Sequence, residues 1–156
     1  MKKTHFIAEG AMIAALYVVL TYLAMSLGLD KMAVQVRFSE ALTVLPAFMP
    51  SAVSGLFVGC LISNIVTGCT IVDVIFGSFT TLVAGLITRK LKNHPYLAPI
   101  PAIIGNTIVI PLVLAYSYKV ETALPFMFLT VFLGELVSAG ILGTLLVYTI
   151  KRRRKY

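Results

Sequence analysis

Apolar residues run through this chain in long blocks separated by short polar or charged intervals. The first block extends from Phe6 to about Leu29, with one acid, Glu9, near its start. It exceeds the roughly 7–15 residues of a signal-peptide core, so it predicts an uncleaved first helix. Later blocks predict helix 4 over about Thr70–Ile87, helix 5 over about Leu97–Ala115 and helix 6 over about Thr122–Ile150. Between them lies Arg37–Val66, where Pro46 and Pro50 predict a break near Met49–Ser51. Helices 2 and 3 on either side of it would have about 13–16 residues each, against about 20 for a usual span. Spans that short are tolerated when they tilt little and pack inside protein. Asn93–Pro101, with three prolines, predicts a turn into helix 5.

Composition agrees with a membrane setting. Of the 156 residues, 59% are hydrophobic and 12% charged, against about 45–50% and 25% in soluble domains. Mean hydropathy is +0.97. A soluble domain of this size could not hide so much apolar surface, and disorder is excluded by the same values. The expected fold is an all-α membrane protein, a single domain over 1–156 with six transmembrane helices. Net charge is +7. Five basic residues form the run Lys151–Lys155 directly after an apolar block, a position that favours membrane anchoring over nucleic acid.

Charge also sets the direction. With six spans and the N-terminus inside, ten of the 13 lysines and arginines fall on the cytoplasmic side, and only Lys31, Arg37 and Lys119 fall outside. That bias follows the positive-inside rule and places both termini in the cytoplasm. Five spans would put the terminal basic run outside.

The polar residues then gather in the outer half. Arg37 and Glu40 open helix 2, Asn64 ends helix 3, Asp73 opens helix 4, and Tyr116 and Tyr118 end helix 5. Asn106 and Glu135 lie near mid-depth. Together they describe a cup open outward and closed inward. Asp73, Gly77, Thr80, Thr81 and Ala84 share one helical face, as do Glu135, Ser138, Ala139 and Gly143. Small residues mark helix contacts in membranes, so Glu135 should be buried in the bundle. Gly55 and Gly59, with Ser63, form another close-packing stripe on helix 3. Structural readings stand beside these. Arg37 and Glu40 are spaced to pair with each other. Ser39–Glu40 and Asp73 are also placed to cap helices. Glu9 reads as an interfacial acid near the headgroups. On helix 1, Ala8, Ala11 and Ala15 share a face with Gly10 and Ala14 beside it, a flat strip for close helix approach, within the bundle or to a partner.

Several chemistries are missing. There is no GxxxxGK[ST] loop, no HExxH and no GxSxG elbow, and His5 and His94 both lie near cytoplasmic ends. Cys60 and Cys69 match no zinc or redox spacing. A polar cup without nucleophile, metal or energy source reads as a binding subunit rather than an enzyme, with no cofactor expected.

The segment Val34–Pro46, VQVRFSEALTVLP, within a six-helix chain with an alanine-rich helix 1, resembles the queuosine-precursor (QueT) subgroup of energy-coupling factor S components. The resemblance covers essentially the whole chain. It implies a subunit of the cell membrane that captures a scarce micronutrient outside and docks on a membrane T component driven by two cytoplasmic ATPases. It further implies a 7-deazaguanine ligand such as queuine, and an alanine motif on helix 1, here Ala11 and Ala15, that contacts the T component. Arg37 and Glu40 sit in the resembling segment. A guanine-like edge offers two adjacent N–H donors and a carbonyl acceptor, which carboxylates and amide or guanidinium donors match. Glu40, Asp73 and Glu135, with Asn64, Asn106, Gln35 and Arg37, supply those groups, and Tyr116, Tyr118 and Phe79 could stack on a ring. An S component for another flat vitamin, or a structural membrane subunit, remains the alternative.

Overall fold

The computed structural model describes residues 3–29, 34–117 and 123–153. Tyr118, Lys31 and Lys119 lie outside them. The described residues are helical, without strands. Helix 1 is Lys3–Ser26, helix 3 Ser51–Val66, helix 4 Ile71–Lys90 and helix 5 Ile100–Ser117. Helix 6 spans Leu124–Arg153. Four stretches, Lys3–Ser26, Ile71–Lys90, Pro95–Ser117 and Leu124–Arg153, are long and apolar enough to cross a membrane, and Ser51–Val66 is a shorter apolar helix.

Two helices depart from α geometry. Helix 2, Phe38–Ala47, is a 3₁₀ helix of 10 residues. A rise of about 2.0 Å per residue carries it about 20 Å, where an α-helix would reach about 15 Å. Pro46 has no N–H to contribute to its ladder, and the Thr43 hydroxyl donates to the Glu40 carbonyl at 2.6 Å. This segment is too short to match lipid alone. It is instead enclosed, packed against helices 1, 3, 4 and 6, with Val44 wholly buried. Helix 6 is α-helical to Glu135, widens into a π turn over Leu136–Leu142 and is α-helical again from Gly143.

Polarity is inverted relative to a soluble protein. Ser39, Glu40, Ser63, Asn64, Asp73, Thr81, Asn106, Glu135 and Ser138 are buried, while Ile7, Met12, Val19, Phe76, Ile104 and Ile141 are exposed. Such a surface suits hydrocarbon. Close helix contact explains the glycines of helix 3. A Cβ at Gly55 would stand 2.6 Å from the Gly10 carbonyl oxygen, and one at Gly59 would stand 3.0 Å from Ala14 Cα. The Gly10–Ala14 side of helix 1 is thus spent on packing inside the bundle, while Ala8, Ala11 and Ala15 are exposed beside it.

Contacts at one end fix the alternation of direction. Ser51 Oγ donates to Glu9 Oε2 at 2.7 Å, and Arg89 Nη1 donates to the Pro46 carbonyl at 3.3 Å. Thr88 Oγ1 donates to the Ala98 carbonyl at 3.1 Å. Lys151 Nζ lies 4.6 Å from the centre of the Tyr96 ring. The beginnings of helices 1, 3 and 5 therefore share an end with the tails of helices 2, 4 and 6. Glu9, read from sequence as an interfacial acid, ties helix 1 to the start of helix 3 at that end and also pairs with His5 at 3.2 Å.

Candidate functional site

A polar cavity lies between the helices, lined by Gln35, Arg37 and Glu40 at the entry to helix 2, Cys60 and Asn64 of helix 3, and Gly77 and Thr81 of helix 4. Asn106 and Ile110 of helix 5 and Val131 and Glu135 of helix 6 complete the wall. The cavity is narrow. About 30 Å³ is open to the centre of a water molecule, within about 480 Å³ of space between atoms that includes the opening to solvent.

A carboxylate–amide–carboxylate bridge forms its floor. Asn106 Nδ2 donates to Glu135 Oε1 at 2.9 Å and to Glu40 Oε2 at 3.3 Å. Its two amide hydrogens are thereby committed, one to each acid. Glu40 Oε1 accepts a third bond, 2.6 Å from the Tyr17 hydroxyl of helix 1. Glu135 Oε2 is buried and has no partner among the described residues. Buried polar atoms are rarely left so, and each exception needs an explanation. Here the atom belongs to a wall of the cavity.

Above the floor the donors are underused. Among the described residues Asn64 Nδ2 has only the Cys60 sulfur, 3.6 Å away, and sulfur is a weak acceptor. Thr81 Oγ1 stands 3.1 Å from the Gly77 carbonyl and 3.5 Å from Cys60 Sγ, and its single proton serves one of them.

The entry to helix 2 is held against helix 6. Arg37 is extended, at φ −113° and ψ 110°, and its N–H donates to Ser138 Oγ at 3.0 Å. A Cβ at position 134 would overlap the Gln35 carbonyl oxygen and come within 3.2 Å of its carbon. Only glycine lets that backbone lie on helix 6, one residue before Glu135. The π turn begins immediately after Glu135, and such wide turns cluster at functional sites.

Of the residues singled out from sequence, Arg37, Glu40, Asn64, Asn106 and Glu135 come together in one wall. Asp73 and Tyr116 do not line it. Asp73 is buried in the first turn of helix 4, where its N–H donates to Thr70 Oγ1 at 3.3 Å, so Thr70 is the cap. Tyr116 is 82% exposed. Phe79, 55% exposed, stacks edge-on against Phe57 at 5.9 Å, away from the cavity. Thr80, placed by spacing on the inward stripe, is half-buried, whereas Asp73, Gly77, Thr81 and Ala84 of that stripe are buried. Arg37 and Glu40 make no ion pair within 4.0 Å; the one such pair between described residues is His5–Glu9. Ser39 does not cap helix 2: it lies inside the helix, where Arg37 stands at the N-cap without a side-chain bond, and its Oγ is 2.9 Å from Thr21 Oγ1, whose single proton the Tyr17 carbonyl can also accept. Sequence reasoning missed Tyr17. Its signal was available: Gly10, Ala14, Tyr17, Thr21 and Ala24 fall on one helical face, and all are buried. Cys60 and Gly134 carried no signal apart from their neighbours.

A protein-family model described as QueT transporter matches residues 7–152. No curated protein and no solved structure matches the chain.

Proposed function

The chain belongs to the QueT transporter family, and from that premise we propose that it is the substrate-binding S component of an energy-coupling factor importer for a 7-deazaguanine base. The family makes it a multi-pass membrane transport protein and points away from an enzyme. In the proposed arrangement it sits in a bacterial plasma membrane with six spans and both termini inside, Phe38–Ala47 being the buried second span. Alternating helix direction and the basic residues Arg89, Lys90, Lys92 and Lys151–Arg153 near one end support this orientation.

One observation carries the ligand reading: the unpartnered, buried Glu135 Oε2 in the cavity wall. A guanine-like edge presents two adjacent N–H donors, and a carboxylate with a free oxygen is their natural acceptor. Arg37 and Asn64 stand ready for the carbonyl of the same edge. Because the cavity is narrow, entry of a flat base requires the walls to part, and the bridge through Asn106 is the contact it would exchange for its own. Among the described residues the Ser78, Thr107 and Ser117 hydroxyls are also buried without a partner, but Glu135 Oε2 is the one such atom on a residue that lines the cavity. Exposed Ala11, in a groove of about 250 Å³ shared with Ser54 and Val58, and exposed Ala15, one helical turn on, are the proposed docking strip for a T component driven by two ATPases.

Calorimetric titration of the purified chain with 7-deazaguanine, guanine, riboflavin and thiamin tests the proposal. Binding of the deazapurine is expected, and Glu135→Gln should weaken it by about 1–3 kcal/mol, roughly one to two decades in Kd. Tight binding of a vitamin with none of the deazapurine would overturn the substrate. Unchanged affinity in Glu135→Gln would remove that residue from the site.

A further inference from the structure

A second groove, of about 620 Å³, runs along the outside of the bundle between helices 4 and 5. It shares no lining residue with the polar cavity or with the groove at Ala11. Phe76, Val83 and Ile87 form one wall, and Ile100 and Ile104 form the other. Ala84 and Gly105 also line it and contribute almost no side chain, which leaves it deep. A Cβ at Gly105 would stand 2.9 Å from Thr80 Cγ2, so the two helices already touch there. Thr80 is the one lining residue with a polar side chain, and its hydroxyl donates to the Phe76 carbonyl at 2.7 Å. No side-chain donor in the groove is left for a polar ligand. Its chemistry suits hydrocarbon.

One end of the groove is different. It reaches Leu91 and Leu97, at the end of the bundle that carries the basic residues. Two of those are already engaged: Arg89 donates to the Pro46 carbonyl, and Lys151 lies over the Tyr96 ring. Lys90 and Lys92 are exposed, and neither has an acidic partner among the described residues. Nor does the sequence offer one locally, since no Asp or Glu occurs between Asp73 and Glu121. Phe79, Val83 and Lys90 follow i, i+4, i+11 spacing, which sets Lys90 on the helix face that walls the groove. Lys92 follows Leu91, itself a lining residue.

An apolar trough that ends at two unneutralised lysines fits one kind of molecule, a hydrocarbon chain with an anion at its head. From Phe76 to Leu91 the helix rises about 22 Å. Half of a bilayer's hydrocarbon core is about 15 Å thick, so an acyl chain can lie in the groove along its whole length. We propose that this groove is a binding site for an anionic phospholipid, with one acyl chain between helices 4 and 5 and the phosphate at Lys90 and Lys92. Basic pockets between membrane helices select anionic headgroups in this way. A helix of another protein would fill the trough but leave the two lysines without counter-charge. The proposal needs the membrane setting alone and is independent of the deazapurine reading.

The chain has no tryptophan, so one introduced indole reports on its own surroundings. Ile104→Trp and Val83→Trp place it on either wall of the groove, both at exposed positions, and Met12→Trp places it on the exposed surface of helix 1. Each full-length variant is reconstituted in phosphatidylcholine bilayers, and quenching by chain-brominated phosphatidylglycerol is compared with quenching by chain-brominated phosphatidylcholine. Both groove reporters should favour phosphatidylglycerol by at least about fivefold, the scale of one basic residue near a headgroup, and Met12→Trp by less than about twofold. Adding Lys90→Gln and Lys92→Gln should bring the groove preference below about twofold. Two reporters on facing walls guard against one filling the groove itself. A groove reporter no more selective than Met12→Trp overturns the proposal, as does selectivity that survives loss of both lysines. So does a groove reporter that neither lipid quenches while Met12→Trp is quenched by both, because a protein surface, such as a second copy of this chain, would then cover the groove.

Discussion

Gly134→Ala isolates the contact that holds the entry of helix 2 onto helix 6. The added methyl would overlap the Gln35 carbonyl oxygen and sit 3.2 Å from its carbon and 3.6 Å from its nitrogen. Those are backbone atoms, so no rotamer change relieves the overlap. The segment must retreat by about 1 Å to restore ordinary contact. It is not free to do so. Val36 N–H bonds to the Leu29 carbonyl at 3.3 Å on one side, and Arg37 N–H bonds to Ser138 Oγ at 3.0 Å on the other. Overpacking of this kind costs about 1–3 kcal/mol. Replacing glycine within a helix returns about 0.5–1 kcal/mol. A net loss of about 1–2 kcal/mol in stability is expected.

Gly140→Ala is the matched control. It lies on the same helix, but the nearest atom to its added methyl is Ile103 Cδ1 at 3.6 Å, an ordinary contact. It should be neutral or stabilising by up to about 1 kcal/mol. Thermal unfolding of both variants in detergent gives the stability difference, and calorimetry gives affinity. If Gly134→Ala moves Arg37 and Glu40 relative to Glu135, deazapurine affinity should fall by about tenfold, or 1.4 kcal/mol, while Gly140→Ala binds like wild type. A Gly134→Ala protein that melts and binds like its control would refute the account of the helix 2 entry as a segment pinned to helix 6.

Tyr17→Phe removes the donor to Glu40 Oε1 and leaves that oxygen buried; unfolding measurements should show a loss of about 1–3 kcal/mol, and an unchanged melting curve would show that the hydroxyl does not hold Glu40. Ala11→Trp and Ala15→Trp should abolish transport in cells while the isolated chain keeps its affinity, since both positions face outward. Equal loss of binding in those variants would mean that the strip packs within this chain. A reporter after Tyr156 should be cytoplasmic and one inserted within residues 117–121 external, and an external C-terminus would sink the six-span orientation.

The long helices were legible because their apolar blocks leave no other way to satisfy a backbone in hydrocarbon. Their ends moved by a few residues: helix 1 begins at Lys3 and ends at Ser26, and helix 6 continues to Arg153. Pro46 and Pro50 correctly signalled the break before Ser51. The 3₁₀ form of Phe38–Ala47 was not legible. Its residues have no periodicity that separates a 3₁₀ from an α segment, and the choice is made by enclosure among helices 1, 3, 4 and 6. The π turn after Glu135 was hidden for the same reason. Its seven residues read as ordinary apolar helix.

The site divides along the same line. A carboxylate at mid-depth is costly wherever it lies, so Glu135 and its small-residue face could be placed inward from spacing alone, and Ser138, Ala139 and Gly143 are indeed buried with it. The cost says nothing about which partner meets it. Arg37, three residues from Glu40, looked like the nearer partner in sequence, yet the geometry gives Glu40 to Tyr17 and Asn106, 23 and 66 residues away. The reason lies in the backbone. Arg37 is extended and turned toward Ser138, so it does not share a helical face with Glu40. Local spacing rules assume that both residues are already in the helix. At the entry to helix 2 one of them is not, and that departure frees Arg37 to line the cavity in place of neutralising Glu40. The partners that Glu40 does have, Tyr17 and Asn106, therefore follow from where the helix starts.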